Sequence, residues 1–354
     1  MIKIVYDNII FSLQRYGGIS VVWSNLITRV CKTVSDIIFM EYEGAEDNVC
    51  RKDITLPEHT LRKEDARMMK IRRYLNPCTD FVNRSCADEK FIFHSSYYRT
   101  SSHPNAINVT TVHDFAYEFF VKNPIIRHLH SFQKFRAIRK SDKIVCISEN
   151  TRRDLLRLLP DVDPSRVCVI YNGIDKIFHK QDDAITEDYV LYVGNRDRYK
   201  NFASIIRPLA QCGRKLKITG KPLLPDEEKL MREAHLTYEY CGLVSVTELN
   251  HLYNHAFCLI YSSLYEGFGL PVIEAQMAGC PVIALNASSI PEVIGDKRLL
   301  VEQFTAASLS EKLTMLENSD FRAEVIETGM KKANEFSWEK MAQQYLELYQ
   351  SLLS

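Results

Sequence analysis

The sequence predicts an α/β protein made of two Rossmann-type units, and three observations carry that reading. Short runs rich in β-branched residues alternate with amphipathic stretches along the chain, the pattern of parallel sheets wrapped by helices. Several runs (IVCIS, VLYV, CLIY, VIAL) are solidly apolar, as strands buried on both faces must be. The 354 residues exceed one ordinary domain and suit two. Charge divides the same way: residues 1–180 carry 28 Lys and Arg against 21 Asp and Glu, and residues 181–354 carry 17 against 24.

In the first half the expected strands are Ile2–Tyr6, Asp36–Glu41, Phe91–His94, Asn108–Val112, Lys143–Ser148 and Val167–Tyr171. In the second they are Tyr189–Gly194, Leu216–Gly220, Tyr238–Gly242, Phe257–Ser262 and Pro281–Leu285. Helical stretches intervene at Ser20–Cys31, Asn150–Leu159, Phe202–Ala210 and Val246–Ala256. The polar segment from Asn172 to Asp188, opening on the turn pair Asn172-Gly173, marks the break between halves. The expected domains are therefore residues 1–175 and 176–337, with a last amphipathic helix over 338–354 packing back on the first.

Composition excludes several classes. At 46% hydrophobic and 25% charged residues the chain is ordinary globular protein, not a disordered one. No apolar run approaches the ~18–20 residues that span a bilayer. The start, MIKIVYDN, enters a strand with no basic-then-apolar leader, and ten cysteines stand singly with no C-x-x-C pair. Reduced thiols in a cytoplasm are the expectation. A near-neutral pI and no interleaving of basic with aromatic residues argue against nucleic acid.

In open parallel sheets ligands bind beyond the carboxyl ends of the strands, so loops at those ends are the candidate site. The strongest runs from Ser262 to Glu274. Gly267 and Gly269 permit close backbone approach, Pro271 suits a first helical position, and free amides at a helix start favour phosphate. Glu266 and Glu274 flank that turn; two carboxylates repel phosphate alone but suit a ligand carrying hydroxyls beside its phosphates. The competing reading makes Glu266 a helix cap and Glu274 a solvated side chain. After Tyr189–Gly194 come Arg196, Arg198 and Lys200, cations able to neutralise a diphosphate or to form a solvated turn. Gly17-Gly18 precedes the first helix, and His113 closes an apolar strand, where a lone His is commonly structural. Convergence of four loops at equivalent strand ends outweighs any one of them.

At these residues the chain resembles the retaining glycosyltransferases of family four. Glu266 and Glu274, in EGFGLPVIE, match that family's E-x7-E motif, within a matching run from CLIYSS to PEVIGD. GGIS, VHDF, VCISENTRRDL, VIYNGID, YVGNRDRYKN and YCGLVSVTEL follow in family order. The resemblance implies the GT-B architecture, two Rossmann-like parallel-sheet domains facing a central cleft, with the nucleotide-sugar donor on the second and the acceptor on the first. It implies that Glu266 holds sugar hydroxyls, Glu274 the ribose diol, and Arg196 and Lys200 the diphosphate, with help from the backbone of Gly17, Gly18, Phe268, Gly269 and Leu270. His113 would meet the sugar, and Gly220, Lys221, Leu243 and Val244 the base. Many members carry Arg directly before the Lys, where this chain has Tyr199; Arg196 is the substitute and Arg198 its rival.

The implied reaction is hexose transfer, mannose foremost, to a glycan or lipid-linked acceptor of surface polysaccharide, by front-face attack with retention. It calls for no metal or other cofactor. The one D-x-D, Asp161-Val-Asp163, reads as turn chemistry. Residues 61–74 hold six cations and two acids and read as a basic amphipathic helix, either a solvated face or a peripheral contact with an anionic membrane. The rival functions are a non-catalytic nucleotide-sugar-binding protein and a nicotinamide-dependent oxidoreductase; lack of G-x-G-x-x-G weighs against the latter.

Overall fold

The structure is a computed structural model describing residues 2–56, 61–64 and 89–354. The chain divides into two compact units, Met1–Gly173 with Trp338–Ser354, and Ile174–Ser337. Ile174 and Ser337 form a parallel bridge, so the second unit leaves and rejoins the chain at adjacent points.

The first unit holds strands β1 (Ile4–Asp7), β2 (Ile37–Tyr42), β3 (Leu61–Glu64), β4 (Phe91–Ser95), β5 (Ala106–Val112), β6 (Lys143–Cys146) and β7 (Val167–Val169). They form one parallel sheet in the order β3-β2-β1-β4-β5-β6-β7. Strands β1 and β4 are buried along their whole length, as central strands covered on both faces must be. The helix Gly18–Val30 buries Val22, Trp23, Leu26, Ile27 and Val30, a stripe at helical spacing.

The last helix, Trp338–Leu353, packs on Gly18–Val30 and on β4. Its attachment is polar as well as apolar. His94 of β4 bonds through Nδ1 to the Tyr349 hydroxyl at 2.7 Å and through Nε2 to Thr111 Oγ1 at 2.9 Å, and Tyr345 reaches the same threonine at 2.8 Å. Burial, with His113 nearby, lowers the His94 pKa to about 3, so the imidazole is neutral.

The second unit holds β8 (Tyr189–Val193), β9 (Lys215–Thr219), β10 (Tyr238–Gly242), β11 (Cys258–Tyr261), β12 (Val282–Leu285) and β13 (Leu300–Val301). Their order, β10-β9-β8-β11-β12-β13, is again wholly parallel. Counted within the unit it is 3-2-1-4-5-6, the doubly wound order, which reverses direction between β8 and β11. One continuous core, including Val190, Ile205, Leu216, Cys258, Ile283 and Leu309, fills the space between sheet and helices.

One expectation is corrected here. Leu61–Glu64 is a strand paired in parallel with β2 rather than the start of a basic helix. Sheet pairing outweighs the helical tendency of LRKE at this edge; residues 65–74 lie outside the described residues. Among the described residues, no helix is long and apolar enough to cross a membrane.

Candidate functional site

The reversal between β8 and β11 leaves a crevice at the carboxyl ends of those strands, and the loops following each strand are bonded to one another there. Ser262 Oγ donates to the Lys200 carbonyl at 2.8 Å, and the Leu264 amide to the Tyr199 carbonyl at 2.9 Å. This framework brings Lys200 Nζ to Glu266 Oε1 at 2.7 Å, where the Tyr261 hydroxyl also donates at 2.6 Å. The Lys200 side chain is 19% exposed and that of Glu266 11%, so the pair is largely desolvated yet open to a ligand. Ser288 Oγ accepts from the Glu266 amide at 2.8 Å, and Ser289 Oγ donates to the carbonyls of Glu266 and Phe268. Both ends of the carboxylate's own peptide are therefore fixed.

Gly269 then opens the helix Leu270–Met277 with φ +108°, and a Cβ there would lie 2.9 Å from Ile290 Cδ1. Only glycine meets both demands. No side chain caps this helix start, and Pro271 sits in its first turn. One turn on, half-buried Glu274 accepts the Tyr253 hydroxyl at 3.1 Å on Oε2. Burial pushes its carboxyl up to about 7; the Tyr253 bond opposes that shift and Asp175 adds to it.

The loop after β9 presses on the same region. Gly220 has φ +117°, and a Cβ on it would come 2.6 Å from the Gly194 carbonyl oxygen. Its amide donates to the Gly242 carbonyl at 2.8 Å, and its carbonyl accepts the Tyr240 hydroxyl at 2.9 Å. Beyond Gly242, Leu243 is 83% exposed while Val244 is half-buried.

Arg196 bonds to a different carboxylate from Lys200. Its Nε donates to Glu227 at 2.9 Å and its Nη2 to the carbonyls of Lys221 and Pro222 at 2.5 and 2.7 Å, leaving the side chain 3% exposed. Glu227, in the first turn of the helix Pro225–Glu233, draws the guanidinium toward that turn and also accepts the Leu224 amide. Arg196 thereby fastens the Gly220–Pro222 turn, and Arg198 is the exposed cation of the loop.

In the first unit Gly17 is the N-cap of the helix Gly18–Val30, with Ser20 Oγ bonded to both its amide and its carbonyl. His113 follows β5 and is half-buried. Burial lowers its pKa to about 4, Asp114 opposing and Lys134 adding to the effect, so it stands as a neutral imidazole at neutral pH. Buried Lys134 anchors the next segment, donating to the Asp114 carbonyl and to Glu118, both at 2.8 Å. Asp161 pairs with Arg139, and Asp163 caps the turn Pro164–Arg166. Among the described residues no three His, Cys, Asp or Glu side chains group to hold a metal.

Sequence reasoning missed Tyr253, Tyr261, Ser288 and Ser289. The tyrosines belong to apolar runs in which nothing marks a hydroxyl aimed at a carboxylate. The Ser-Ser pair after the β12 run was the available signal.

A paired cation and carboxylate thus stand at the switch point of a doubly wound sheet, beside an uncapped helix start. Residues 174–332 match the family described as glycosyl transferases group 1, and residues 91–176 the one described as glycosyltransferase family 4. Residues 91–332 are thus matched, in succession, by two glycosyltransferase families. The chain is 32% identical over 183 residues to O-antigen chain mannosyltransferase B of Escherichia coli, covering 47% of this chain and 46% of the relative. It is 28% identical over 203 residues to O-antigen chain mannosyltransferase RfbU of Salmonella typhimurium, covering 54% and 55%. The chain thus spans about half the length of these curated relatives. In fold it is similar to sucrose-phosphate synthase from Thermosynechococcus elongatus, with a TM-score of 0.78 over 99% of both chains at 18% identity. It is similar also to Anabaena Alr3699/HepE, solved in complex with UDP, with a TM-score of 0.74 over 99% and 100% at 15% identity.

Proposed function

We propose that the chain transfers a hexose, mannose foremost, from a nucleotide-diphosphate sugar to a glycan or lipid-linked acceptor in surface polysaccharide synthesis, with retention and without a metal. The observation that carries this reading is Lys200 bonded to Glu266 beside the helix start at Gly269. A diphosphate needs a cation and free amides, and a sugar needs a carboxylate; here the cation and carboxylate are hydrogen-bonded and the uncapped helix start follows Glu266 by three residues. The mannosyl donor rests on the relatives named above.

In this reading Lys200 and the helix amides take up the charge that develops on the leaving diphosphate, as fixed dipoles already in place. Glu266 accepts hydrogen bonds from sugar hydroxyls, and Glu274 from the ribose diol. The turn at Gly220 and Lys221, with Leu243 and Val244, receives the base. The phosphate cation is Arg198, with Arg196 holding the turn from beneath. His113, kept neutral, is the first unit's contribution toward the sugar. The leaving phosphate oxygen takes the acceptor's proton as the new glycosidic bond forms on the same face. The reaction belongs to the cytoplasm, where nucleotide sugars are made.

The test is a thermal-shift series with GDP-, UDP- and dTDP-sugars, followed by transfer of labelled sugar from whichever stabilises. Ligand at ~100 times its dissociation constant raises stability by about 2.7 kcal/mol. Lys200→Met and Glu266→Gln should each lower transfer by at least ~100-fold, since losing one preorganised group typically costs ~2.7–4 kcal/mol. Undiminished transfer in either variant refutes the assignment.

A further inference from the structure

The helix Val246–His255 carries two histidines four residues apart, His251 and His255, a spacing that sets both side chains on one helix face, a turn from each other. Their rings lie side by side, with 4.2 Å between centroids and 51° between planes. Neither belongs to the crevice. The helix starts after Ser245, just beyond the carboxyl end of β10, and runs back until its last turn meets the residues entering β8. There the Glu187 amide donates to the His255 carbonyl at 2.7 Å. The pair therefore stands at the amino ends of the strands, opposite the loops that carry Lys200 and Glu266.

The tautomer of His255 is fixed by its surroundings. Its Nδ1 lies 2.8 Å from the Ile185 carbonyl oxygen, which only accepts, so Nδ1 carries the proton and the neutral ring keeps a lone pair on Nε2. Histidines that ligate metals are commonly held this way, one ring nitrogen donating to a carbonyl while the other binds the ion. His251 is exposed and the His255 side chain is 19% exposed, so an ion arriving from solvent meets both. Two nitrogens on one ion, each ~2.0–2.1 Å from it, sit roughly 3 Å apart, which rings at this separation reach with little rotation. The setting also favours positive charge. His255 lies in the last turn of the helix, at its carbonyl end. Glu187 Oε1 is 4.0 Å from His255 Nδ1, and Oε2 is 3.5 Å from Lys217 Nζ. Imidazole suits zinc, nickel and copper rather than magnesium or calcium, which take oxygen ligands.

We propose that His251 and His255 together chelate a divalent transition-metal ion of the zinc, nickel and copper class, with water completing its coordination. The ion ties the segment entering β8 to the end of this helix. Ligation through Nε2 holds His255 in the tautomer that bonds Ile185, so the two interactions reinforce each other. The site lies at the other end of the sheet from the transfer chemistry, which does not depend on it.

Nickel is the probe, since it takes imidazole and does not oxidise thiols. Calorimetric titration of the untagged full chain should show one ion bound per chain at its strongest site. Nickel should raise the melting temperature of the second unit, and magnesium should not. His251→Ala should lower nickel affinity at least tenfold and abolish that shift, leaving the metal-free melting temperature unchanged because the side chain is exposed. His255→Ala should lower nickel affinity as much, and the double variant should lose no more than either single one, as a chelate that needs both rings requires. His128→Ala, at an exposed histidine of the first unit, should bind nickel as the parent does. No nickel binding by the parent, undiminished binding in His251→Ala or His255→Ala, or an equal loss in His128→Ala overturns the proposal.

Discussion

Glu274 is the residue whose ionisation decides most. Its carboxyl titrates near 7, so at neutral pH it is divided between an acid and a carboxylate. The carboxylate offers both oxygens as acceptors to a ribose diol, whereas protonation turns one of them into a donor. Donor binding should therefore strengthen as pH rises from 6 to 8, and Glu274→Gln should flatten that dependence; calorimetric titration across the range measures it. Stability should move the other way. Between 4.5 and 7 the folded state holds this proton and the unfolded state releases it, so stability from this group falls as pH rises, by up to roughly 3 kcal/mol. Binding that weakens with rising pH in this window defeats the diol assignment. The position of Glu274 on a strand-end helix was legible from EGFGLPVIE, but its raised pKa was not, because it comes from burial in the folded unit, against which the Tyr253 hydroxyl of another helix works. The fate of Arg196 was illegible for the same reason. Its carboxylate partner is Glu227, thirty-one residues on, in the first turn of the helix Pro225–Glu233.

At the scale of the element, most strands that reasoning from sequence recovered have apolar cores, and the two it missed are two of the four sheet edges. LRKE of β3 is mostly charged and LV of β13 is two residues long, and each ends its sheet. Edge strands are kept short and charged because unpaired backbone there invites association, which removes the pattern that identifies them. The helix Trp338–Leu353 was legible as amphipathic, but its polar anchor was not. Tyr349→Phe should expose the cost of that anchor: His94 Nδ1 would lose its partner inside the core, a penalty of about 1–3 kcal/mol. His94 also makes the first unit acid-sensitive. Its pKa is lowered on folding, so its contribution is complete above about 6.5 and is lost as pH falls toward 3. Melting curves of Tyr349→Phe at pH 7 and 5 measure both effects; an unchanged melting temperature at pH 7 would show the bond to be idle.

At the scale of the whole molecule, the two units differ in how the chain builds them. The second is one continuous segment, Ile174–Ser337, with its own six-stranded sheet, its own core and ends joined by a bridge. The first is discontinuous: its sheet is covered in part by Trp338–Leu353, which arrives only after the whole second unit has been made. Every group proposed to meet the donor's diphosphate and ribose through a side chain (Arg198, Lys200, Glu266, Glu274) belongs to the continuous unit. The fragment 174–337 should accordingly fold alone, melt in one cooperative step, and bind a nucleoside diphosphate with affinity within about tenfold of the full chain (~1.4 kcal/mol), while transferring no sugar. Removing 338–354 from the full chain should instead unfold the first unit, since Tyr6 and His94 lose the Tyr345 and Tyr349 rings packed on them. The truncated chain should then keep the second unit's melting transition and its nucleotide-induced shift, and lose the other transition. If fragment 174–337 is folded by circular dichroism yet shows no nucleotide-induced shift, donor binding does not reside where Lys200 meets Glu266.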